Sequence, residues 1–253
     1  MAQNQMYKWV DKCVNPLAGE CQHKCVYCYM KAMKRFPVNK EKYSGEPRMD
    51  EKGLAEIKGE DKRIFVCSAT DLFAENVPEK LIATILDKCI KEPFNKYLLQ
   101  TKNPSRYLNL WQHFPHGAIL GATIEGTDAW KYSFAPSPNT RIDAIKKVGY
   151  WVKQMRQECH FRTHVSIEPV IRWGNRTIQW LQEADPDIIS IGANTSKVKL
   201  PEPDASELLE LITKMRQITP DLCLKHNLKR ILGEEKLAEL QAEIVPICSR
   251  GGE

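Results

Sequence analysis

Cys21, Cys25 and Cys28 stand in a C-x3-C-x2-C run, with Tyr27 immediately before the last cysteine. Three thiolates this close can hold three irons of a 4Fe–4S cluster and leave the fourth iron without a protein ligand, whereas electron-transfer clusters are normally closed by four cysteines. An open iron is itself a binding site, which S-adenosylmethionine can chelate through its amino and carboxylate groups. Reduction of that assembly cleaves the sulfonium to a 5′-deoxyadenosyl radical, chemistry that belongs to the cofactor while the protein positions and shields it. Gly19 precedes the run, and Lys24 places positive charge beside an anionic cluster, which favours its reduced state.

Two other readings compete. Cys21, Cys25 and Cys28 with His23 make a Cys3His set for zinc, although structural zinc sites usually draw on two separated pairs. Cys13, Cys67, Cys89, Cys159, Cys223 and Cys248 are single and widely spaced, so no second pair exists. Disulfides are the other alternative, but nine cysteines is an odd number and three in one loop make a poor disulfide framework.

The chemistry needs a scaffold, and 253 residues suffice for one α/β barrel domain spanning 1–253. Hydrophobic residues at 42% and charged residues at 27% are ordinary for a soluble globular chain. No apolar run is long enough to span a bilayer, so no membrane is expected. Many unpaired thiols and no recognisable export signal point to the reducing cytoplasm. The net charge of +5 is mildly basic and compatible with a nucleic acid partner without demanding one.

Apolar β-branched segments alternate with amphipathic ones, the pattern of βα units on a parallel sheet. Strands are expected at Tyr7–Val14, Arg63–Ser68, Lys96–Thr101, Ala118–Ile124, Phe161–Ile167 and Ile188–Gly192, with a weak seventh at Leu222–Lys225. Helices are expected from Pro78 to Lys91, from Pro104, from Thr140 to Glu158 (with Thr140 and Asp143 as capping candidates), from Asn175 to Glu183 and from Ala205 to Ile218. Residues 31–62 read as a charged surface insertion after the cysteine loop, with a short helix near Asp50 to Lys58. Gly126 to Asn139, carrying Trp130, Tyr132 and Phe134, reads as a long loop of the kind that forms lids.

The expected strands turn polar as they end, at Ser68-Ala69-Thr70-Asp71, Gln100-Thr101-Lys102, Thr123-Ile124-Glu125, Ser166-Ile167-Glu168 and Ser190 to Asn194. Period-two alternation puts His164, Ser166 and Glu168 on one face, and Thr123 with Glu125 likewise. Polar residues at the carboxyl ends of barrel strands are where an α/β barrel builds its active site.

Asn15-Pro16, Gly19, the cysteine run and Tyr27-Cys28-Tyr29 together resemble the cluster motif of radical SAM enzymes, as found in the spore photoproduct lyase-like group and an uncharacterised phage-associated radical SAM family. Cys67 to Phe73, Leu99 to Pro104, Leu120 to Glu125 and Ser166 to Pro169 look like the landmarks of the latter, in order. The resemblance implies a partial (β/α)6 TIM-type barrel, a 4Fe–4S cluster on Cys21, Cys25 and Cys28, S-adenosylmethionine as cofactor, and a reductant such as flavodoxin or ferredoxin. This chain departs from the usual pattern where Ser68-Ala69-Thr70-Asp71 replaces Gly-Gly-Glu after the second strand, and where Gly192-Ala193-Asn194 follows the sixth.

Roles follow residue by residue. Tyr27 would pack on the adenine or fill core. The turn holding Ser68, Thr70 and Asp71 suits the ammonium of S-adenosylmethionine, or caps the following helix. Lys102 suits its carboxylate, or is a solvated lysine. Ser166 and Glu168 suit the ribose hydroxyls, with Thr123, Glu125 and Asn194 as further contacts or solvated strand ends. Cys67 would donate a hydrogen atom to a product radical, or pack in a strand. His164 and His226 would touch substrate or serve structure, and Trp130, Tyr132 and Phe134 would stack on a base or on their own core. Hydrogen abstraction from a nucleic acid is the leading reading. The same chemistry on a peptide or small metabolite, and a non-catalytic Fe–S or zinc binding protein, are the others.

Overall fold

The computed structural model describes Tyr7 and residues 9–244. Lys8, within the expected first strand, and Cys248 lie outside the described residues. Seven parallel strands form one curled sheet, and helices cover its outer face. In sheet order these are β1 (Lys12–Val14), β4 (Arg63–Val66), β5 (Lys96–Thr101), β6 (Ile119–Thr123), β7 (Arg162–Ile167), β8 (Ile188–Ile191) and β9 (Leu222–Leu224). The strand order equals the chain order, so each crossover steps one place along the sheet. The fold is an α/β partial TIM-type barrel. The seventh strand pairs with β8 through Ile189–Leu222, Ser190–Cys223 and Ile191–Leu224, extending the expected six.

Outside the sheet, apolar side chains meet amphipathic helices. Ile64, Val66, Leu99 and Leu120 pack with Ile82, Ile85, Leu86 and Cys89 of α4 (Glu79–Ile90) and with Val148 and Val152 of α5 (Pro138–Cys159). Val165, Ile167, Ile189 and Ile191 pack with Ile178 and Leu181 of α6 (Asn175–Ala184) and Leu208 and Ile212 of α7 (Ala205–Ile218). Helix α7 starts in a capping box, in which Asp204 accepts from the Glu207 N–H and Glu207 reaches back. For α5 the cap is Ser137, whose Oγ accepts from the Thr140 N–H at 3.2 Å; Thr140 and Asp143 were the expected candidates. Beyond β9 lie α8 (Lys229–Leu232) and α9 (Glu234–Ala242).

The inner face is different. Only Lys12–Val14 of the expected first strand pairs with the sheet, while Tyr7, Trp9 and Val10 pack inside the curl against Phe65 and Leu98. Tyr7 donates to Ser166 Oγ at 2.9 Å, and Lys225 Nζ lies 3.7 Å from the Tyr7 ring centroid. The amino-terminal segment is therefore a plug, placed there because its aromatic rings fill the concavity that a sheet of this curvature leaves. His164 spans the interior between Gln100 and Ser190. A Cβ on Gly121 would stand 2.1 Å from Gln100 Oε1, so glycine is what lets Gln100 cross the face.

Residues 17–18 and 30–57 form a small layer at the carboxyl end of β1. It comprises β2 (Leu17–Ala18) paired antiparallel with β3 (Arg48–Met49), plus α1 (Met30–Met33), α2 (Pro37–Lys42) and α3 (Glu51–Ala55). Asp50 caps α3 by accepting from Lys52 and Gly53. Gly19 has φ +106°, and a Cβ there would sit 2.5 Å from the Glu46 carbonyl oxygen. Glycine thus sets the tight exit from β2 into the cysteine loop.

Candidate functional site

The cysteine loop leaves β2 at the carboxyl end of the sheet and is tied down by its neighbours. Val26 N–H donates to the Tyr132 carbonyl at 2.9 Å, and Phe134 N–H to the His23 carbonyl at 2.8 Å, so the aromatic loop lies along it. The Asn76 N–H donates to Gln22 Oε1 at 2.9 Å. Cys25 is buried, while Cys21 and Cys28 are partly exposed. Burial, reinforced by Asp71, pushes the Cys21 thiol up to about 12. Burial raises Cys25 also, and Lys102 partly offsets it. Burial disfavours the thiolates of Cys21 and Cys25 on this fixed loop, and a metal cluster supplies the positive charge that thiolates there need, so the donor set fits one. Among the described residues no three His, Cys, Asp or Glu side chains stand close enough for a single ion. His23, the fourth ligand of a Cys3His zinc site, gives its Nε2 to Asp71 at 2.8 Å.

Asp71 joins three elements. Its Oδ2 faces His23 Nε2 and accepts from the Lys102 N–H at 2.7 Å; its Oδ1 accepts from Thr101 Oγ1 at 2.7 Å and the Phe73 N–H at 2.9 Å. Burial alone would raise its pKa, but His23 and these hydrogen bonds outweigh it and hold the carboxyl below the usual range. A carboxylate with four partners is a brace between the cysteine loop and the ends of β4 and β5. These partners come in addition to the ammonium contact expected of the turn.

The second centre is Glu125, fully buried at the end of β6. Its Oε1 accepts from Tyr27 OH and Lys102 Nζ, and its Oε2 from Arg141 Nη1 at 2.6 Å. Lys102 Nζ also donates to Tyr27 OH at 2.9 Å. Burial raises the Glu125 pKa, but Lys102 and Arg141 overcome it and bring the carboxyl to about 2. Arg141 is itself fully buried at the start of α5, donating also to the Thr123 and Pro136 carbonyls, while its Nη2 has no protein partner. Trp173 Nε1 donates to the Glu125 carbonyl at 3.0 Å. Tyr27, Lys102 and Glu125, read separately from the sequence, thus form one network. Arg141 and Trp173 were missed because nothing local marks a helix-start arginine as the buried partner of a strand-end carboxylate, or a loop tryptophan as a donor to that residue's main-chain carbonyl.

The remaining expected residues are dispersed. Cys67 is buried with φ +61° and packs in the outer layer with Leu17, Ile57 and Val66; burial raises its thiol strongly, which is the environment of a packing residue. Ser68 donates to Asn15 Oδ1 at 3.3 Å, and its carbonyl accepts from Tyr29 OH at 3.1 Å; Thr70 beside it is buried. Thr123 accepts from Gln100 Nε2 at 3.0 Å. Ser166 is buried beneath Tyr7, away from any open surface. Glu168 pairs with Lys225 and accepts from Asn227 Nδ2 at 3.1 Å, partners that the sequence did not disclose. Asn194 organises its own loop, donating to the Val198 carbonyl at 2.7 Å and accepting from Ser196. His164 is enclosed, and burial, aided by Lys225, holds its pKa at about 3. His226 is exposed, whereas Trp130 and Phe134 stand out at 57% and 78% exposure.

Residues 4–173 match the profile of a family described as "Protein of unknown function (DUF5131)". The chain belongs to that family. No curated protein matches this DUF5131 chain. Among solved structures, a spore photoproduct lyase mutant with bound AdoMet and dinucleoside spore photoproduct is similar at TM-score 0.58. The alignment has 11% identity and covers 89% of this chain and 80% of that one. A second mutant of the same lyase aligns at TM-score 0.56 and 12% identity, over 85% of this chain and 76% of that one. At such identity the likeness is one of fold, and it extends over most of the DUF5131 chain. No helix among the described residues is long and apolar enough to cross a membrane.

Proposed function

We propose that this protein is a radical SAM enzyme: Cys21, Cys25 and Cys28 bind a 4Fe–4S cluster at the barrel mouth, and S-adenosylmethionine completes it. When bound, that pair of cofactors supplies reductive cleavage to a 5′-deoxyadenosyl radical. The observation that carries the reading is a three-cysteine loop fastened over the carboxyl ends of a partial parallel barrel, where α/β barrels place their chemistry. Lys102 supplies positive charge beside Cys25 and suits the cofactor's carboxylate, while Glu125 and Arg141 fix its position. Asp71 and His23 hold the loop to β5 and so set where the thiols stand. The barrel interior below, filled by Tyr7, Trp9 and His164, excludes water from beneath the site.

For substrate we favour nucleic acid. Trp130 and Phe134 are exposed on a loop hydrogen-bonded to the cysteine loop, where flat rings can stack on bases. Anaerobic reconstitution is expected to give about four irons and four sulfides per chain, and reduction with S-adenosylmethionine to release 5′-deoxyadenosine and methionine. Cys25→Ala should lose the iron and keep the circular dichroism spectrum. Zinc in place of iron, with no sulfide, would sink the reading.

A further inference from the structure

A cavity of about 630 Å³ opens at the far rim of the mouth, between the loop after β8 and the segment after β9. Lys197, Lys199, Lys229 and Arg230 line it, against the single carboxylate of Glu202. That carboxylate is already neutralised, since both its oxygens accept from Arg230 at 2.6 Å. Lys197, Lys199 and Lys229 are exposed and, among the described residues, none is paired with a carboxylate. At the other strand ends Lys102 and Arg141 are paired with Glu125, and Lys225 with Glu168.

The cavity wall is built rather than slack. Asn194 donates to the Val198 carbonyl and accepts from Ser196, its backbone N–H donates to Glu202 at 2.7 Å, and Arg230 reaches its carbonyl at 3.3 Å. Asn227, which also lines the cavity, exchanges hydrogen bonds with Ala193 and donates to Glu168. The concavity is therefore contiguous with the polar strand ends. Loops after the last strands are where barrels repeatedly form phosphate sites, and the volume admits a nucleotide-sized group.

We propose that this concavity binds phosphate groups of the substrate, with the phosphodiester backbone of a single-stranded nucleic acid as the ligand. Lys197, Lys199 and Lys229 neutralise the phosphates and the Asn194 loop shapes the wall. That the bound strand is the molecule attacked rests on the radical SAM reading; the anion site does not.

The test uses the full reconstituted chain and a fluorescent single-stranded oligonucleotide, with affinity measured across salt. A Lys197→Gln, Lys199→Gln, Lys229→Gln variant is compared with Lys58→Gln, Lys62→Gln, Lys80→Gln, which removes equal charge from exposed positions elsewhere. The first set should flatten the salt slope by about 2 and weaken binding at low salt about tenfold or more, since each single-strand phosphate contact contributes about 0.7 to the slope; the second should leave the slope in place. A fluorescent mononucleotide is titrated in parallel, with inorganic phosphate as a competitor of either probe: mononucleotide binding without oligonucleotide binding overturns the strand in favour of a small ligand. Equal slopes for the two variants overturn the site itself. Release of 5′-deoxyadenosine without substrate is recorded in parallel and should be equal in both variants. A chain that binds through these lysines but never cleaves S-adenosylmethionine supports the site while refuting the reaction.

Discussion

The two sides of the barrel mouth are built on opposite plans. On the cysteine side, two carboxylates are buried and fully engaged: Asp71 has four partners, and Glu125 has Tyr27, Lys102 and Arg141. On the far side, three lysines stand exposed around a cavity and, among the described residues, have no acidic partner. Buried ion pairs are costly to desolvate and intolerant of losing a member, so they fix geometry more than they add net stability. Exposed lysines are hydrated, mobile and ready for an incoming anion. The contrast separates a region whose groups are held still from one whose cations stand open, which is what the proposed chemistry and the proposed anion site each require.

Substitutions break this contrast in order of size. Glu125→Gln leaves Lys102 and Arg141 without their counter-charge in a buried site and should destabilise the fold by about 3–5 kcal/mol, read by urea unfolding. A change under about 1 kcal/mol would mean that the pairs are not the fixed element described here. Asp71→Asn keeps the volume but loses charge-assisted bonds to His23 and the Lys102 N–H, which should cost roughly 2–3 kcal/mol. Because the lost bonds anchor the cysteine loop, iron retention after desalting should fall as well; full retention would detach Asp71 from the site.

Acidification sharpens the comparison with a smaller effect. His164 is held neutral, its pKa lowered to about 3 by burial and then by Lys225 and Arg162. Its folded value lies below that of the unfolded chain, so stability is complete above about pH 6.5 and is lost as pH falls towards 3. Between pH 6.5 and 5 the loss should be roughly 2 kcal/mol, at about 1.4 kcal/mol per unit. His164→Gln should flatten that stretch of the profile. A parallel profile in the variant would assign the slope to other groups. Glu125 has the same sign at lower pH, since its carboxyl is depressed to about 2.

Much was readable along the chain. The cysteine spacing, Lys102, Glu125 and the strand-end positions of Ser166 and Glu168 are local patterns, and β-branched runs between amphipathic helices dictate a parallel sheet. Asp71 was expected as a ligand contact, yet its four bonds come from positions 23, 73, 101 and 102, which only the crossover geometry unites. Cys67 sits at a polar strand end but turns outward into the apolar layer because its backbone adopts φ +61°, a twist that the side-chain pattern does not announce. Tyr7 and Trp9 alternate like strand residues and instead plug the interior, since a curled sheet leaves a concavity that large rings fill.

By itself the sequence determined the cysteine spacing, the strand periodicity and the end of the sheet at which polar groups gather, because each depends on neighbours a few residues apart. Tertiary structure alone decided which carboxylate braces and which pairs, that Arg141 and Lys225 are buried partners, and that three exposed lysines share one cavity. Those outcomes depend on how a curled sheet brings separate strand ends together, and burial then turns proximity into charge pairing.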